Sequence, residues 1–206
     1  MRPRLLPAVL GLGLSGALLA ELMMTGQIGQ LDGYILPADR NGVRVGRQPG
    51  RGGDPVTDRI VHRIATSPGQ SVSVWLGQLQ HSVTDGVRER LVDLDVLRPT
   101  SARRWWGGST MEYRAADANQ AMLPEAEVFS AVGSDRRTDI TLQVAMLVGL
   151  TDATGLRGKM PVWEPGPMEV RQRMADLRYA LPAPLSSLLS DLEAAVGAVM
   201  LSTGHH

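Results

Sequence analysis

Apolar residues recur at helical spacing from the beginning of the chain. The run from Leu5 to Ala20 is 16 residues long, carries no charge and is followed by Glu21. Four leucines in this region repeat every fourth residue, which places them on one face of a helix. They are Leu10, Leu14, Leu18 and Leu22, and Gly13, Ala17 and Ala20 form an adjacent small-residue face. The pattern predicts an amphipathic core helix whose small residues let another element pack closely.

The same segment can also be interpreted as an export signal. Arg2 and Arg4 precede the apolar run, and Ser15-Gly16-Ala17 resembles a small-residue cleavage site. The 16 residues are, however, fewer than the roughly 20 that a membrane-spanning helix needs. The leucine face also continues past the supposed cleavage site. Both observations favour a helix that stays attached as part of the core.

Shorter elements follow this helix, with turn residues between them. Two strands are predicted at Gln27–Leu31 and Gly33–Leu36, and Asn41-Gly42 is a turn signal beyond them. Asp54 then offers a helix N-cap ahead of Pro55. The helices predicted from here on are Pro55–Ala65, a segment beginning at Val72, Val83–Leu94, Ala118–Val132, Asp135–Leu150, Pro167–Leu181 and Pro184–Leu201.

A second β-hairpin is predicted between two of these helices. Val96-Leu97 has the pattern of the start of a strand. Residues Ala102–Trp106 and Thr110–Arg114 then flank Gly107-Gly108, and glycine can adopt the positive φ angles that a tight turn needs. The whole pattern predicts a mainly α fold class. We expect a single helical domain over residues 1–202, decorated with short β-hairpins, and a flexible tail over residues 203–206.

Composition narrows the possible functions. The 206 residues are 43% hydrophobic, which is enough to bury a core, and 21 basic residues balance 21 acidic ones. No overall electrostatic field therefore attracts nucleic acid or anionic lipid, and any such attraction must be local. The lack of cysteine in the sequence excludes disulfides, thiolate chemistry and cysteine metal sites, and it is compatible with the cytoplasm.

The sequence has no pattern typical of catalysis or metal binding. His62 and His81 are not spaced as metal ligands, and the sequence lacks nucleophile elbows, phosphate-binding glycine loops and zinc signatures. Asp54 and Asp58 could form an acidic pair, but helix capping and the helix dipole already explain them. We therefore expect no enzyme activity, no catalytic residue, no metal and no cofactor.

One local cluster has the character of a binding site. Arg103, Arg104, Trp105 and Trp106 lie near the tip of the second predicted hairpin. Because strand side chains alternate, the two tryptophans cannot both face the core. Tryptophan prefers the water–lipid interface, and neighbouring arginines can reach lipid phosphates. Alternatively, the tryptophans pack against the domain and a neighbour while the arginines are solvated. The residues alone leave both interpretations open.

Five segments carry a resemblance to a known family. They are Gly13 to Leu22 followed by Gly26, then Gly53-Asp54-Pro55-Val56-Thr57-Asp58, Trp75, Arg90 to Leu97, and Asp135-Arg136-Arg137-Thr138. In this order, over roughly Leu5 to Leu201, they resemble the Golgi phosphoprotein 3 family in its bacterial branch. The resemblance implies a cytoplasmic, mainly helical single domain that docks peripherally on membranes carrying phosphatidylinositol 4-phosphate.

The resemblance also implies partners and a lipid pocket. The partners are an anionic phospholipid or phosphoinositide surface and, as in eukaryotic members, cytosolic tails of membrane enzymes. The family's pocket uses one tryptophan and three arginines, and the equivalent positions here are Leu6, Ser15, His81 and Thr84. All four residues differ. Charge-assisted hydrogen bonds contribute roughly 1.5–3 kcal/mol each, so their loss should weaken headgroup recognition unless other arginines replace them.

The leading hypothesis is a non-enzymatic peripheral membrane adaptor that inserts the tip of its second hairpin. An alternative is a winged-helix-like DNA-binding module, because three predicted helices between Pro55 and Leu94 precede that hairpin. Acidic residues on the last of these helices offset its arginines, whereas DNA binding rests on net phosphate neutralisation, so we expect no nucleic-acid partner. A third possibility is an enzyme whose polar cleft the sequence does not reveal.

Overall fold

The computed structural model describes residues 5–38, 54–103, 109–133, 140–159 and 166–203. Within these residues the fold is mainly helical with small antiparallel hairpins, as the sequence predicts. The elements are α1 (Pro7–Met24), β1 (Ile28–Leu31), β2 (Tyr34–Pro37), α2 (Pro55–Thr66), β3 (Gln70–Ser71), α3 (Val72–Leu79), α4 (Val83–Asp93), β4 (Leu97–Arg103), β5 (Ser109–Ala115), α5 (Ala118–Gly133), α6 (Leu142–Ala153), a 3-10 turn (Leu156–Lys159), α7 (Pro167–Tyr179) and α8 (Ala183–Thr203).

Helix α1 is the central element of the core. It packs against α3, α4, α6 and α8, and its buried residues belong to the larger of two apolar clusters in the described residues. The predicted leucine face is only partly correct, because Leu18 and Leu22 are buried whereas Leu10 and Leu14 are half-buried. A helix with neighbours on several sides buries residues around most of its circumference. Buried Leu12 and Leu19 therefore lie outside the single predicted face.

Within the described residues, two helices, α1 and α8, are long and apolar enough to cross a membrane by length and composition. Half of the α1 window is buried inside the fold, and α1 contacts α8 more extensively than any other helix. Apolar side chains of α1 thus pack against other helices of the protein in this structure. The packing confirms that the first segment forms a core helix.

Capping residues decide where two of the predicted helices begin. Asp54 caps α2 as predicted, since its carboxylate accepts hydrogen bonds from the Val56 and Thr57 amides at 3.2 and 3.3 Å. The predicted helix from Asp135 to Leu150 is not continuous, because α6 begins at Leu142 after two non-helical residues, and Asp135 itself lies outside the described residues. Thr141 has an extended backbone, and its hydroxyl accepts a hydrogen bond from the Val144 amide. A threonine cap therefore sets the beginning of α6 inside a continuous apolar pattern.

The first hairpin is confirmed to within one or two residues. Strands β1 and β2 pair antiparallel with Leu31 opposite Tyr34, and the turn between them consists of Asp32 and Gly33, which both have positive φ. Strand β3 extends this sheet beside β2 and was not predicted, because two residues are too few to show alternation. The Asn41-Gly42 turn signal lies outside the described residues. Helix α8 includes Thr203, which the sequence pattern places in the tail.

A close contact fixes α1 against the turn between α3 and α4. A Cβ atom added to Gly11 would lie 2.2 Å from the carbonyl oxygen of Gln80, far inside van der Waals contact. Only glycine lets the two backbones approach this closely. The contact places the middle of α1 beside the beginning of α4, where two of the residues equivalent to the family's lipid pocket lie.

Candidate membrane-docking site

The β4–β5 hairpin projects from the helical body. Its strands pair antiparallel from Leu97 opposite Ala115 to Arg103 opposite Ser109. Every β5 residue from Met111 to Ala115 is exposed, which is unusual for a strand in a small domain. Strand β4 begins at Leu97, as the predicted strand start at Val96-Leu97 indicates, and runs across Pro99 to Arg103. Proline is tolerated in this two-stranded ribbon, where both strands are edges.

The two faces of the hairpin differ in polarity. Residues directly opposite each other in a ladder share a face, and Met111 and Tyr113 lie opposite Ser101 and Pro99. The other face carries polar and charged residues of both strands. They are Arg98, Thr100, Glu112 and Arg114. Met111 is 59% exposed and Tyr113 is 36% exposed, so the apolar face is open to solvent.

One interaction joins the hairpin to α4, and two more stabilise the base of the hairpin. The guanidinium of Arg88 lies 5.0 Å from the centre of the Tyr113 ring. Arg98 donates two hydrogen bonds to Asp95 at 3.2 Å, and this interaction lowers the pKa of the Asp95 carboxyl. The Ala116 amide donates to the Val96 carbonyl at 2.9 Å. The hairpin is therefore anchored at its base.

The predicted membrane-inserting tip lies mostly beyond the described residues. Arg103 is the last residue of β4, and its backbone lies opposite Ser109. Arg104, Trp105 and Trp106 fall outside the described part of the chain, so their insertion into a membrane stays a prediction. The described strands run towards these residues.

The four positions equivalent to the family's lipid pocket have different environments. Leu6 is the N-cap residue of α1 and is 44% exposed. Ser15 is fully buried, and its hydroxyl donates a hydrogen bond to the Gly11 carbonyl at 2.8 Å. His81 is exposed in the turn before α4, and Thr84 is half-buried in the first turn of α4.

The packing brings the helices that carry these residues together without forming an open polar pocket at Ser15. Gly11 contacts the Gln80 backbone one helical turn from Ser15 and one residue from His81. Ser15 has no accessible surface, and its hydroxyl is already bonded within its own helix. It therefore cannot contact a headgroup at the surface. The role of the other three positions stays a prediction.

A cluster of three charged residues connects α1, α2 and α4 beside this region. Arg90 donates two hydrogen bonds to the Glu21 carboxylate at 2.9 Å, and it lies 3.2 Å from Asp54. The hydrogen bonds to Glu21 raise the pKa of Arg90, although partial burial opposes the effect. Because Asp54 also caps α2, Arg90 links the beginning of α2 to the end of α1. The cluster is structural, since both carboxylates already have partners.

Comparison with known proteins identifies the family to which the chain belongs. The sequence model of Golgi phosphoprotein 3 (GPP34) matches residues 1–198, almost the whole chain. The chain belongs to the Golgi phosphoprotein 3 family. A search among curated proteins found no match.

The Golgi phosphoprotein 3 family consists of non-enzymatic, lipid-binding adaptor proteins. Within the described residues no group of three or more histidines and acidic residues is arranged to hold a metal ion.

Sequence analysis missed two residues of this face, Met111 and Tyr113. Their signal was present, because Met111, Tyr113 and Ala115 alternate with polar residues along β5. The sequence-based prediction of this strand rests only on the Gly107-Gly108 turn signal that the segment follows. A strand with an apolar face needs something to cover that face, and in the described residues the Arg88 side chain lies over the Tyr113 ring.

Proposed function

We propose that this protein is a non-enzymatic peripheral membrane adaptor that docks on anionic bilayers through its β4–β5 hairpin. The observation that carries the proposal is the exposed apolar face of a hairpin that projects from the helical body. Exposed apolar surface on a folded protein commonly marks an interaction site. Membership in a lipid-binding family supports a bilayer as the partner.

The hairpin supplies modest binding energy, which suits reversible docking. Fully burying a side chain such as Met111 in an apolar medium contributes about 1.5–3 kcal/mol. Trp105 and Trp106 add aromatic surface suited to the lipid interface. Arg103 and Arg104 each add about 1 kcal/mol near an anionic membrane surface. Together these contributions allow the protein to bind a membrane without a transmembrane segment.

Headgroup selectivity is expected to be low under this proposal. The four positions equivalent to the family's pocket lack its tryptophan and arginines, and Ser15 is buried. We therefore propose recognition of anionic surface charge in general, with phosphatidylinositol 4-phosphate as one of several acceptable lipids. The proposed location is the cytoplasmic face of a membrane. Cytosolic tails of membrane enzymes are the proposed protein partners.

The DNA-binding alternative has less support in the structure. Helices α2, α3 and α4 do precede a hairpin, as in a winged helix. Both arginines of α4 are engaged, however: Arg88 pairs with Asp85 and Arg90 with Glu21. A recognition helix needs free cationic groups for phosphate contacts.

Removing both tip tryptophans is expected to abolish most membrane binding. In sedimentation with vesicles of phosphatidylcholine and phosphatidylglycerol, the double variant Trp105→Ala, Trp106→Ala should bind at least about tenfold more weakly than the unchanged protein. The variant lacks two aromatic side chains suited to the lipid interface. A loss of about 1.4 kcal/mol in binding free energy already weakens binding tenfold.

A matched control removes two large apolar side chains elsewhere. Met168 and Tyr179 lie on α7 and are 81% and 93% exposed. The double variant Met168→Ala, Tyr179→Ala should sediment like the unchanged protein. Equal sedimentation of all three proteins would overturn docking through the hairpin tip.

A further inference from the structure

The end of α4 fixes the direction in which the hairpin leaves that helix. The Asp95 amide donates a hydrogen bond to the Val92 carbonyl at 2.9 Å, and the Val96 amide donates one to the Leu91 carbonyl at 2.8 Å. These two bonds form a Schellman motif, in which the residue after the C-cap has a positive φ. Asp95 is that residue, with a φ of 54°. Strand β4 therefore starts in a set direction from the end of α4.

Helix α4 is itself fixed to the helical body. Val83 at its beginning is buried in the larger apolar cluster. Gly86 lies against α2, since a Cβ atom added to it would be 3.2 Å from the Val56 side chain. Near its end, Arg90 donates two hydrogen bonds to Glu21 of α1. The angle between the hairpin and α4 is therefore also the angle between the hairpin and the body.

A two-stranded ribbon can still bend beyond a fixed base. Two strands alone are only marginally stable in water, and the residues of β5 from Met111 to Ala115 are exposed. A contact with α4 lies at the third residue pair from the base, where Tyr113 is opposite Pro99. There the Arg88 guanidinium is 5.0 Å from the centre of the Tyr113 ring. This contact opposes bending of the hairpin away from α4.

The Arg88 side chain is held on α4 from the other side. Its guanidinium pairs with the Asp85 carboxylate, about one helical turn earlier. A planar guanidinium can bind a carboxylate through its N–H groups while its face stacks on an aromatic ring. Asp85, Arg88 and Tyr113 thus form a continuous chain of contacts from α4 to β5.

Exposure along the hairpin increases from this contact towards the tip. Tyr113 is 36% exposed under Arg88, whereas Met111, two residues nearer the tip, is 59% exposed. The apolar face is thus partly covered where α4 holds it and open farther out. This arrangement leaves the outer part of the face free for a bilayer while its inner part is attached to the body.

We propose that Arg88 is a positioning residue for membrane docking, because its contact with Tyr113 holds the β4–β5 hairpin at one angle to α4. The inference rests on the proposed function and deepens it. An element that is already oriented loses less conformational freedom on binding, so it binds more tightly. Without the contact, we expect docking to weaken about two- to fivefold, which corresponds to about 0.5–1 kcal/mol.

The distance between two spin labels reports the angle of the hairpin in solution. Because the chain has no cysteine, Glu112→Cys and Ala194→Cys place one label on the polar face of the hairpin and one on α8. Both positions are exposed. Double electron–electron resonance should give one narrow distance distribution for this labelled protein. Adding Arg88→Ala should broaden or shift the distribution, because the hairpin is then held only at its base.

Three further variants separate positioning from charge. Arg63→Ala is the matched control, since Arg63 also lies over an aromatic ring, 5.8 Å from the centre of Trp75, but on α2. It should keep the narrow distribution. Arg88→Lys keeps the charge without the planar group and should give an intermediate width. Tyr113→Leu removes the ring without changing the net charge, and it should broaden the distribution as Arg88→Ala does.

Sedimentation with phosphatidylcholine–phosphatidylglycerol vesicles connects the angle of the hairpin to docking. Arg88→Ala should bind about two- to fivefold more weakly than Arg63→Ala, which loses the same charge. Equal distance distributions for these two variants would overturn the positioning role, and so would equal sedimentation. If even the unchanged protein does not sediment, the docking function itself fails. The distance distributions are measured without vesicles, so they show separately whether Arg88 holds the hairpin.

Discussion

Replacing Gly11 with alanine is expected to lower the free energy of unfolding by about 3 kcal/mol. This is the largest effect that we expect from adding a single methyl group. The added Cβ would lie 2.2 Å from the Gln80 carbonyl oxygen and 3.0 Å from its carbon. Because the obstacle is backbone, no side-chain rotation can relieve the clash. Helix α1 would have to move away from the turn between α3 and α4. Denaturant unfolding followed by circular dichroism measures the change.

Gly77→Ala is the matched control for this substitution. Gly77 lies inside α3, and a Cβ atom added there would meet nothing within 4 Å. Alanine favours a helix over glycine by up to about 1 kcal/mol, so this variant should be slightly more stable than the unchanged protein. If Gly11→Ala were as stable as Gly77→Ala, α1 would not contact Gln80 as described.

Replacing Arg90 with glutamine is expected to lower the free energy of unfolding by about 2 kcal/mol. The guanidinium is partly buried and lies between the Glu21 and Asp54 carboxylates. Without it, two carboxylates of like charge lose their common partner. Denaturant unfolding curves of the two proteins measure the loss.

An exposed ion pair supplies the comparison for Arg90. Arg98 also donates two hydrogen bonds to a carboxylate, Asp95, but both side chains are mostly in solvent. Exposed pairs contribute about 0–1 kcal/mol, so Arg98→Gln should change stability little. Similar losses in the two variants would contradict a structural role for the link between α1, α2 and α4.

The sequence predicts most helices because their signals are local. Asp54 and Pro55 mark the beginning of α2, and the apolar period alone identifies α8. Two errors have physical causes. The apolar period around Ile140 does not reveal that Thr141 interrupts the helix by capping it. The burial of α1 on several sides depends on helices far away in the sequence, so a single leucine face could not describe it.

The candidate site was harder to predict than the fold. The pairing of Arg90 with Glu21 joins residues 69 positions apart, and no local pattern indicates it. The apolar alternation of Met111 and Tyr113 was visible in the sequence, but its exposure was not.

Entry of the β4–β5 hairpin into the membrane can be tested with a single labelled residue. Because the chain contains no cysteine, Met111→Cys gives one attachment site for a polarity-sensitive fluorophore. Tyr179→Cys, at an exposed position on α7, carries the same dye as a reference. Adding phosphatidylcholine–phosphatidylglycerol vesicles should shift the emission at position 111 to shorter wavelength and leave position 179 unchanged. An unchanged spectrum at position 111, under conditions where the labelled protein sediments with the vesicles, would contradict the claim.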